Sequence, residues 1–557
     1  MNNISFPKSF YFEKIKYDNL TLRGPKKIIW RILGLVFVLT IIALSIYFID
    51  FSFAPNGRSV FSQNIIDFFR PHLISKLIPD QNLFLLSIKY LWESIKVAFL
   101  GTIIGTCLAL FTAFFSNYKM NKYWIAIPIK FIIIVLRLLP ELFFIYLFQI
   151  SADKTLAINL IFSWFTWLWL HEYFSQVIEN ANFEIFYWLT KIKQNRFTAF
   201  FKEIWPQISP KILNYIFYAF ESNIRWSTIL SKLGFLGIGI LIYPNSINVN
   251  YFHELLIPLL ILATFLIFIE FCNFIISNLL FYSRTQKVNI KKYAKNSTIK
   301  KIIIFITIAI GLIITIFACL SLRGEKFYST QGNYYFKELF NGEWKNVFLG
   351  WKTNSNFGLL YMLLQLGALV FLSILLTYFI SYFKLLLLSR QLFKRSYWIE
   401  KIWNTILRSI PVISLFLLIS NLFNKLEAAF VIAFAIHSSS TISRMLESSI
   451  KKISTNKINE LKIKGYSKFY IFRNFIMPTI KLDLITFMTF EIEKITRNFI
   501  TYGLFSASLL GSETNLGRYK EISDIAPYLW IEFIIIGLIN LGNYLYRLRL
   551  NKGSIKK

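Results

Sequence analysis

Long uninterrupted runs of apolar residues recur along the chain and restrict the folds that are open to it. The run IIIFITIAIGLIITIFACL at 302–320 contains no charged side chain. A helix needs about 20 such residues to cross roughly 30 Å of hydrocarbon. A transmembrane barrel would instead show short strands of alternating polarity. The sequence therefore predicts an all-α, multi-pass membrane protein.

Twelve membrane spans are predicted, in two sets of six. The first set is 29–49, 91–115, 124–150, 155–172, 211–241 and 253–282, and the second is 302–321, 357–383, 397–421, 426–443, 482–506 and 525–546. In each set the longest outer loop, 50–90 or 322–356, directly follows the first span. The first span exceeds a signal-peptide core and is expected to be retained.

The formal net charge of +32 could indicate a nucleic-acid partner, but the positions of the basic residues favour membrane topology. Lysine and arginine concentrate in alternate loops, as they do in the cytoplasmic loops of membrane proteins. Basic residues also precede the first span and follow the last one. We therefore expect a cell-membrane protein with both termini in the cytoplasm and no nucleic-acid partner.

Motifs for catalysis or metal binding are absent from the sequence. Cys107, Cys272 and Cys319 lie far apart in apolar spans, which gives neither a disulfide framework nor a metal-ligand spacing. The chain has no G-x-x-x-x-G-K-[ST] phosphate loop, nucleophile elbow or H-E-x-x-H helix. We expect no catalytic residue, metal or cofactor, so any ATP hydrolysis would require a partner.

A repeat with an offset of about 272 residues relates the two sets of spans. ILRSIP at 406–411 corresponds to VLRLLP at 135–140. The other matching positions are Leu461 with Leu189, Pro478 with Pro206, Glu493 with Glu221 and Arg497 with Arg225. Two halves of the same topology predict parallel repeats around a central pathway.

The repeat gives a predicted domain organisation. It consists of a cytoplasmic segment 1–28, a first repeat 29–283, a basic linker 284–301, a second repeat 302–546 and a basic tail 547–557.

The segment INELKIKGYSKFYIFRNFIMP at 458–478 is basic and lies between two apolar spans. It resembles the pattern E-A-A-x3-G-x9-I-x-L-P of membrane subunits of ABC importers. In that family, two short helices joined at the glycine dock on the cytoplasmic ATPase. Glycine can close a helix in the left-handed conformation, and proline is tolerated in a first helical turn. An ordinary amphipathic surface helix is the alternative.

The resemblance implies two coupling loops, 176–210 and 448–481. The residues that it assigns to coupling are Leu189, Lys193, Pro206, Leu461, Gly465 and Pro478. The first loop departs from the pattern, because Lys193 replaces the glycine. Functional asymmetry between the loops is therefore predicted.

Further stretches are similar to phosphonate-type importer permeases: 79–110, LRLLPELFFIYLF at 136–148 and FESNIRWSTILSKLGFLGIG at 220–239. The chain also resembles the duplicated, fused permease of three-component importers in wall-less bacteria. This resemblance implies two ATPase subunits, a lipid-anchored extracellular binding protein, and a phosphorus oxyanion or organophosphate as substrate. Phosphonate and a phosphorylated cofactor such as thiamine pyrophosphate are the two expectations.

Charged and polar residues within the spans are candidates for the translocation pathway, because such residues normally face a bundle interior. They are Glu141, Glu221, Arg225, His437, Glu493 and Arg497. Arg225 and Arg497 could attract an anionic phosphorus group, or each could merely neutralise the glutamate four residues before it. His437 could contact substrate or pack against a neighbouring helix.

Two further features of the spans have structural explanations. Arg137 and Arg408 precede a proline, which favours a break in the third span over a ligand contact. Gly101 and Gly105 predict close helix packing in the second span.

Two alternative functions remain open at this point. A twelve-span secondary transporter also shows paired halves, but it would carry ion-coupling residues and no docking helices. A membrane enzyme acting on lipid-linked phosphate would require clustered acids or histidines at an interface, and the sequence shows none.

Overall fold

Helices form nearly all of the part of the chain that the computed structural model describes. The described residues are 12–17, 20–25, 27–75, 78, 81–192, 194–243, 251–281, 290–347, 358–451, 453–515 and 521–555. Strands β1 (Phe12–Tyr17) and β2 (Leu20–Pro25) pair as an antiparallel hairpin before the first long helix. The predicted all-α membrane fold is confirmed for the chain that follows this hairpin.

The first half contains eleven described α-helices. They are α1 (Lys27–Ile49), α2 (Gly57–Phe68), α3 (Leu83–Ser116), α4 (Tyr123–Leu138), α5 (Glu141–Ser151), α6 (Lys154–Glu179), α7 (Glu184–Lys191), α8 (Arg196–Ala199), α9 (Trp205–Leu230), α10 (Gly239–Ile242) and α11 (Tyr251–Phe281).

The second half repeats this order among its described residues. Its helices are α12 (Ile290–Ser321), α13 (Ser329–Phe340), α14 (Leu359–Leu387), α15 (Lys394–Ser409), α16 (Val412–Ser420), α17 (Leu426–Lys451), α18 (Thr455–Ile463), α19 (Lys468–Ile471), α20 (Met477–Thr501), α21 (Leu509–Glu513) and α22 (Ile522–Ile555).

Membrane-spanning length and composition can be assessed helix by helix. Within the described ranges, seven helices are long and apolar enough to cross a bilayer, and two bent pairs raise the number to as many as nine. The other predicted spans fall on α6, α9 and α20, which are long but more polar. A helix thus lies over every predicted span, while the count of twelve stays a prediction.

The third span of each half is broken at a proline, as predicted. Helices α4 and α5 meet at 88°, and α15 and α16 meet at 89°. Pro140 and Pro411 stand at the N-caps of the second pieces. Proline lacks an N–H and disfavours helical backbone in the residue before it, so the helix ends there.

The helix of the fifth span ends earlier than predicted in each half. Helices α9 and α20 end at Leu230 and Thr501, and each continues as a 3₁₀ turn. The turns stop at Gly234 (φ 85°) and Ser506 (φ 62°). Because a residue in the left-handed region cannot continue a right-handed helix, the predicted ends of the spans, residues 241 and 506, were too late.

Equivalent helices make equivalent contacts in the two halves. Helix α3 packs against α6, and α14 packs against α17. A Cβ on Gly101 or Gly105 would lie 2.5 Å from Phe162 Cβ or 2.6 Å from Thr166 Cβ, which confirms the predicted close packing in the first half.

The first spans are exchanged between the halves. Helix α1 packs on α14 of the second half, whereas α12 packs on α3 of the first. Two short helices also bridge the halves: α2 contacts α11 and α16, and α13 contacts α22 and α5. These contacts join the two repeats into one bundle.

The buried apolar residues form one shared core at one end of the bundle and two separate cores at the other end. We call the end that carries residues 180–204 and 453–476 the basic-loop end. At the opposite end, one continuous core contains residues of both halves, such as Phe235 and Phe430. At the basic-loop end each half has a separate core, represented by Phe200 in the first and Phe472 in the second.

Candidate functional site

Two ion pairs occupy equivalent positions on the fifth spans. Arg225 Nη2 lies 3.1 Å from Glu221 Oε1, and Arg497 Nε lies 3.1 Å from Glu493 Oε1. Residues four apart on a helix share a face, so the spacing predicted from the sequence brings each pair together. All four side chains are mostly shielded from solvent.

Each of these arginines also reaches the broken helix of the other half. Arg225 Nη1 donates to the carbonyl oxygen of Arg408 at 2.9 Å, and Arg497 Nη2 donates to that of Arg137 at 2.7 Å. The accepting carbonyls lie in the last turns of α15 and α4, where the helix supplies no donor. A cation is also favourable at the negative end of a helix dipole. The two arginines therefore connect the halves.

The pair Arg225–Glu221 is part of a longer row of five charged side chains. Glu221 Oε1 lies 3.4 Å from Arg408 Nη2, which lies 3.0 Å from Glu270 Oε2. Glu270 Oε1 in turn pairs with Arg444. The row Arg225–Glu221–Arg408–Glu270–Arg444, called the charge row below, alternates in sign and crosses between the two halves three times. It contains three cations and two carboxylates, so it carries one excess positive charge. Arg444 is its last member.

The equivalent place in the other half is built differently. Arg137 Nη1 pairs with Glu172 Oε2 at 2.7 Å within the first half. Glu493 Oε1 accepts from Asn540 Nδ2 at 3.1 Å. Glu270 and Arg444 were not predicted from the sequence. The repeat contained a signal for Arg444, which occupies the position equivalent to Glu172 in the first half.

The other two pathway candidates have separate surroundings. Glu141 Oε2, in the first turn of α5, accepts from Thr501 Oγ1 of the second half at 3.1 Å. His437 lies on α17, and its Nδ1 is buried without a hydrogen-bond partner among the described residues. Phe165, its counterpart in the first half, packs against Trp226. The structure thus brings Glu141 to the boundary between the halves.

The glycine of the second loop has the backbone that its sequence context predicts. Gly465 follows α18 with φ 80°. Its N–H donates to Lys462 O at 3.0 Å, and Tyr466 N–H donates to Leu461 O at 3.2 Å. These two bonds form a Schellman motif, which closes a helix with a left-handed residue.

The first loop keeps one of these bonds. Gln194 N–H donates to Leu189 O at 3.2 Å, at the positions equivalent to Tyr466 and Leu461. Lys193, which stands in place of the glycine, lies outside the described residues. The hydrogen bond from Gln194 or Tyr466 to the leucine five residues before it is therefore common to both loops.

The second short helix of each loop leads into the fifth span in the same way. Asn195 Oδ1 accepts from Phe197 N–H, and Ser467 Oγ accepts from Tyr470 N–H, so both helices are capped. A π-helical turn follows in each loop, Phe200–Ile204 or Phe472–Ile476. Pro206 and Pro478 then lie in the first turns of α9 and α20, where their missing N–H has little effect.

Both loops expose large apolar side chains at the basic-loop end. The exposed set includes Ile185, Trp188, Ile192, Phe197, Ile463, Tyr466, Phe469 and Tyr470. Ile463 beside the glycine turn is 86% exposed. Contiguous apolar surface rimmed by polar residues is typical of protein interaction sites. Each loop therefore offers a surface on which another protein could dock.

Comparison with known proteins agrees with this architecture. Residues 385–549 match the family described as binding-protein-dependent transport system inner membrane component. The ABC transport system permease protein p69 of Mycoplasma genitalium is 29% identical over 540 residues, which cover 94% of this chain and 96% of that protein. The protein of the same name from Mycoplasma pneumoniae is 28% identical over 511 residues, covering 90% and 91%.

No solved structure matches the chain. The matched family segment begins near the end of α14 and includes the second loop, the fifth span and most of α22. The likeness to the two mycoplasma permeases extends over both halves. The chain is a membrane permease component of an ABC transporter.

Proposed function

We propose that this single chain supplies both membrane halves of an ATP-driven importer for a substrate that carries a phosphorus oxyanion. The observation that carries the proposal is the pair of equivalent loop-and-span units, each with a docking surface and a charged fifth span. The similarity of 79–110, 136–148 and 220–239 to phosphonate-type permeases supports the substrate class. Phosphonate and a phosphorylated cofactor such as thiamine pyrophosphate are the two substrates to test.

Two ATPase subunits would dock at the basic-loop end, one at 176–210 and one at 448–481, which would be cytoplasmic. The exposed apolar residues of both loops support this assignment. Leu189, Lys193, Pro206, Leu461, Gly465 and Pro478 would position the docking helices. A lipid-anchored extracellular binding protein would deliver substrate at the opposite end, near α2 and α13.

The division of the core suggests how such a transporter would work. The continuous core closes the end opposite the loops, while the separate cores leave the halves independent at the basic-loop end. This arrangement corresponds to a pathway that is open toward the ATPase side. Closure of the ATPase subunits would bring the loops together and part the opposite end, as in a rigid-body transition.

The charged groups between the halves would guide an anionic substrate. Arg225 and Arg497 carry planar guanidinium groups that can pair with phosphate oxygens, and Glu221 and Glu493 would orient them. Glu141 and His437 would line the same route. The fixed contacts of both arginines with the opposite half also fit a purely structural role, so transport assays must separate the two roles.

The direct test is uptake into proteoliposomes that contain the chain, its ATPase subunits and its binding protein. We expect ATP-dependent accumulation of radiolabelled phosphonate or thiamine pyrophosphate. Vesicles without ATP provide one control, and thiamine without phosphate provides the other. ATP-dependent uptake of thiamine at the same rate as its pyrophosphate would contradict the phosphorus-specific substrate class while leaving the permease function intact.

A further inference from the structure

A polar cavity of about 380 Å³ lies between the halves near the basic-loop end. Helices α9 and α11 of the first half, α15 and α17 of the second half, and Leu388 just after α14 contribute to its wall. Its charged lining consists of Lys401, Arg444, Lys451, Glu270 and Glu447. The volume lies within the range of small-molecule sites, and the lining carries more cations than carboxylates.

Both carboxylates of the lining already have cationic partners. Glu447 lies 2.6 Å from Lys451 Nζ and accepts from Tyr397 Oη at 2.6 Å. Glu270 is shared by Arg408 and Arg444 at the end of the charge row. Lys401 has no carboxylate within ion-pair distance among the described residues. The positive charge of the cavity is therefore not balanced by its own acids.

An amide donor in the wall is also without a partner. Asn404 lines the cavity and is 6% exposed. Its Oδ1 accepts from Lys384 Nζ at 3.0 Å, and because a lysine only donates, this contact fixes the orientation of the amide. Asn404 Nδ2 then has no acceptor in the described structure. Buried polar groups normally have partners, so the free donor indicates a ligand that presents oxygen acceptors.

The repeat shows that this site belongs to one half only. At the equivalent positions of the first half, Arg444 and Lys451 are replaced by Glu172 and Glu179. There Glu179 pairs with Lys130, the counterpart of Lys401, at 3.5 Å. Two acids that neutralise the basic groups of the first half have thus been exchanged for two cations in the second. This reversal of charge is local and leaves the helix arrangement unchanged.

We propose that the cavity is a binding site for a phosphate group, present once per chain at the basic-loop end. Arg444 offers a planar fork that can hold two phosphate oxygens, Lys401 a single charge, and Asn404 Nδ2 a neutral donor. The site goes beyond the permease function, because it does not depend on which substrate is carried. A soluble phosphorylated molecule and a lipid headgroup share this chemistry.

Equilibrium binding of radiolabelled pyrophosphate to the purified full-length chain in detergent tests the proposal. We expect saturable binding of one pyrophosphate per chain. Lys401→Gln and Arg444→Gln should each weaken the affinity about tenfold, because each removes one charge-assisted contact. Lys130→Gln, the matched change in the first half, should leave the affinity unchanged. The thermal unfolding midpoint of each variant shows whether it is folded.

The source of the phosphate group is distinguished by competition. Short-chain phosphatidylglycerol that displaces pyrophosphate would assign the site to a lipid headgroup, and its failure to compete would assign the site to a soluble molecule. Absence of saturable binding to the unaltered chain would overturn the proposal. Equal loss of affinity in Lys130→Gln and Lys401→Gln would overturn it as well.

Discussion

Arg497 of the second half donates to the backbone carbonyl of Arg137 in the first half, at 2.7 Å. Arg225 makes the reciprocal bond to the carbonyl of Arg408 at 2.9 Å. Each bond satisfies a helix end that the proline break leaves open. The two repeats are thereby joined at two related points, and each point also carries a glutamate four residues before the arginine.

Arg497→Ala should destabilise the bundle, because it removes the bond to Arg137 O and leaves Glu493 without its cation. Hydrogen bonds of charged groups contribute about 1.5–3 kcal/mol, so we expect a loss of about 2 kcal/mol. Denaturant titration of the purified chain followed by tryptophan fluorescence measures it. Lys345→Ala, at an exposed position between α13 and α14, serves as control. An unchanged midpoint for Arg497→Ala would show that the contact contributes nothing.

Arg225→Ala should abolish ATP-driven uptake while the chain still co-purifies with its ATPase subunits. The reason is that Arg225 lies in the charge row between the halves and outside the loops 176–210 and 448–481 that we propose as docking surfaces. Uptake into proteoliposomes and pull-down of the ATPase are measured on the same preparation. Normal uptake by the variant would leave Arg225 with only its structural role.

Gly465→Lys should reduce transport-coupled ATPase activity more than Lys193→Gly changes it. Gly465 needs φ 80°, and a side chain in the left-handed region costs about 1 kcal/mol or more. The turn that holds the exposed Ile463 would then be distorted. Binding-protein-stimulated ATP hydrolysis is the measurement. Equally small effects of both substitutions would mean that the loop is only a basic surface segment.

Gly105→Ala should lower the thermal unfolding midpoint, whereas Gly367→Ala should leave it unchanged or raise it. A Cβ on Gly105 would lie 2.6 Å from Thr166 Cβ, but one on Gly367 would meet no described atom within 4 Å beyond its own helix backbone. Alanine is also the better helix former. The two variants are compared in the same detergent. A lower midpoint for Gly367→Ala alone would contradict the packing of α3 on α6.

Opening of the end opposite the loops can be followed at the contact of Tyr243 with Phe505. Their rings lie 4.7 Å apart and join the two halves. With the native cysteines replaced, Tyr243→Cys and Phe505→Cys should react efficiently with a short bifunctional maleimide in the absence of nucleotide. Trapping of ATP on the ATPase subunits should lower the yield, and an unaffected yield would contradict the proposed transition.

The sequence predicted the local features of the fold well. The breaks before Pro140 and Pro411, the left-handed Gly465 and the pairs four residues apart each depend on neighbours in the chain. The ends of the fifth spans were wrong, because the apolar pattern continues past Gly234 while the backbone turns away.

Contacts between distant helices could not be predicted in this way. The apolar pattern of α1 does not reveal that α14 is its neighbour, since every face of α1 is similarly apolar. Glu270 joins Arg408 and Arg444 only because α11 lies against the second half. The sequence signal for the charge row was the difference between two equivalent positions, Glu172 in the first half and Arg444 in the second.

The exchange of first spans has a consequence for biogenesis. Helix α1 leaves the ribosome early, yet its packing partner α14 is not made until well over half of the chain has been synthesised. Until then α1 must reside in the bilayer without this partner, which its uniformly apolar surface permits. Insertion of the chain can thus proceed span by span, whereas the first repeat acquires its complete set of neighbours only when the second repeat arrives.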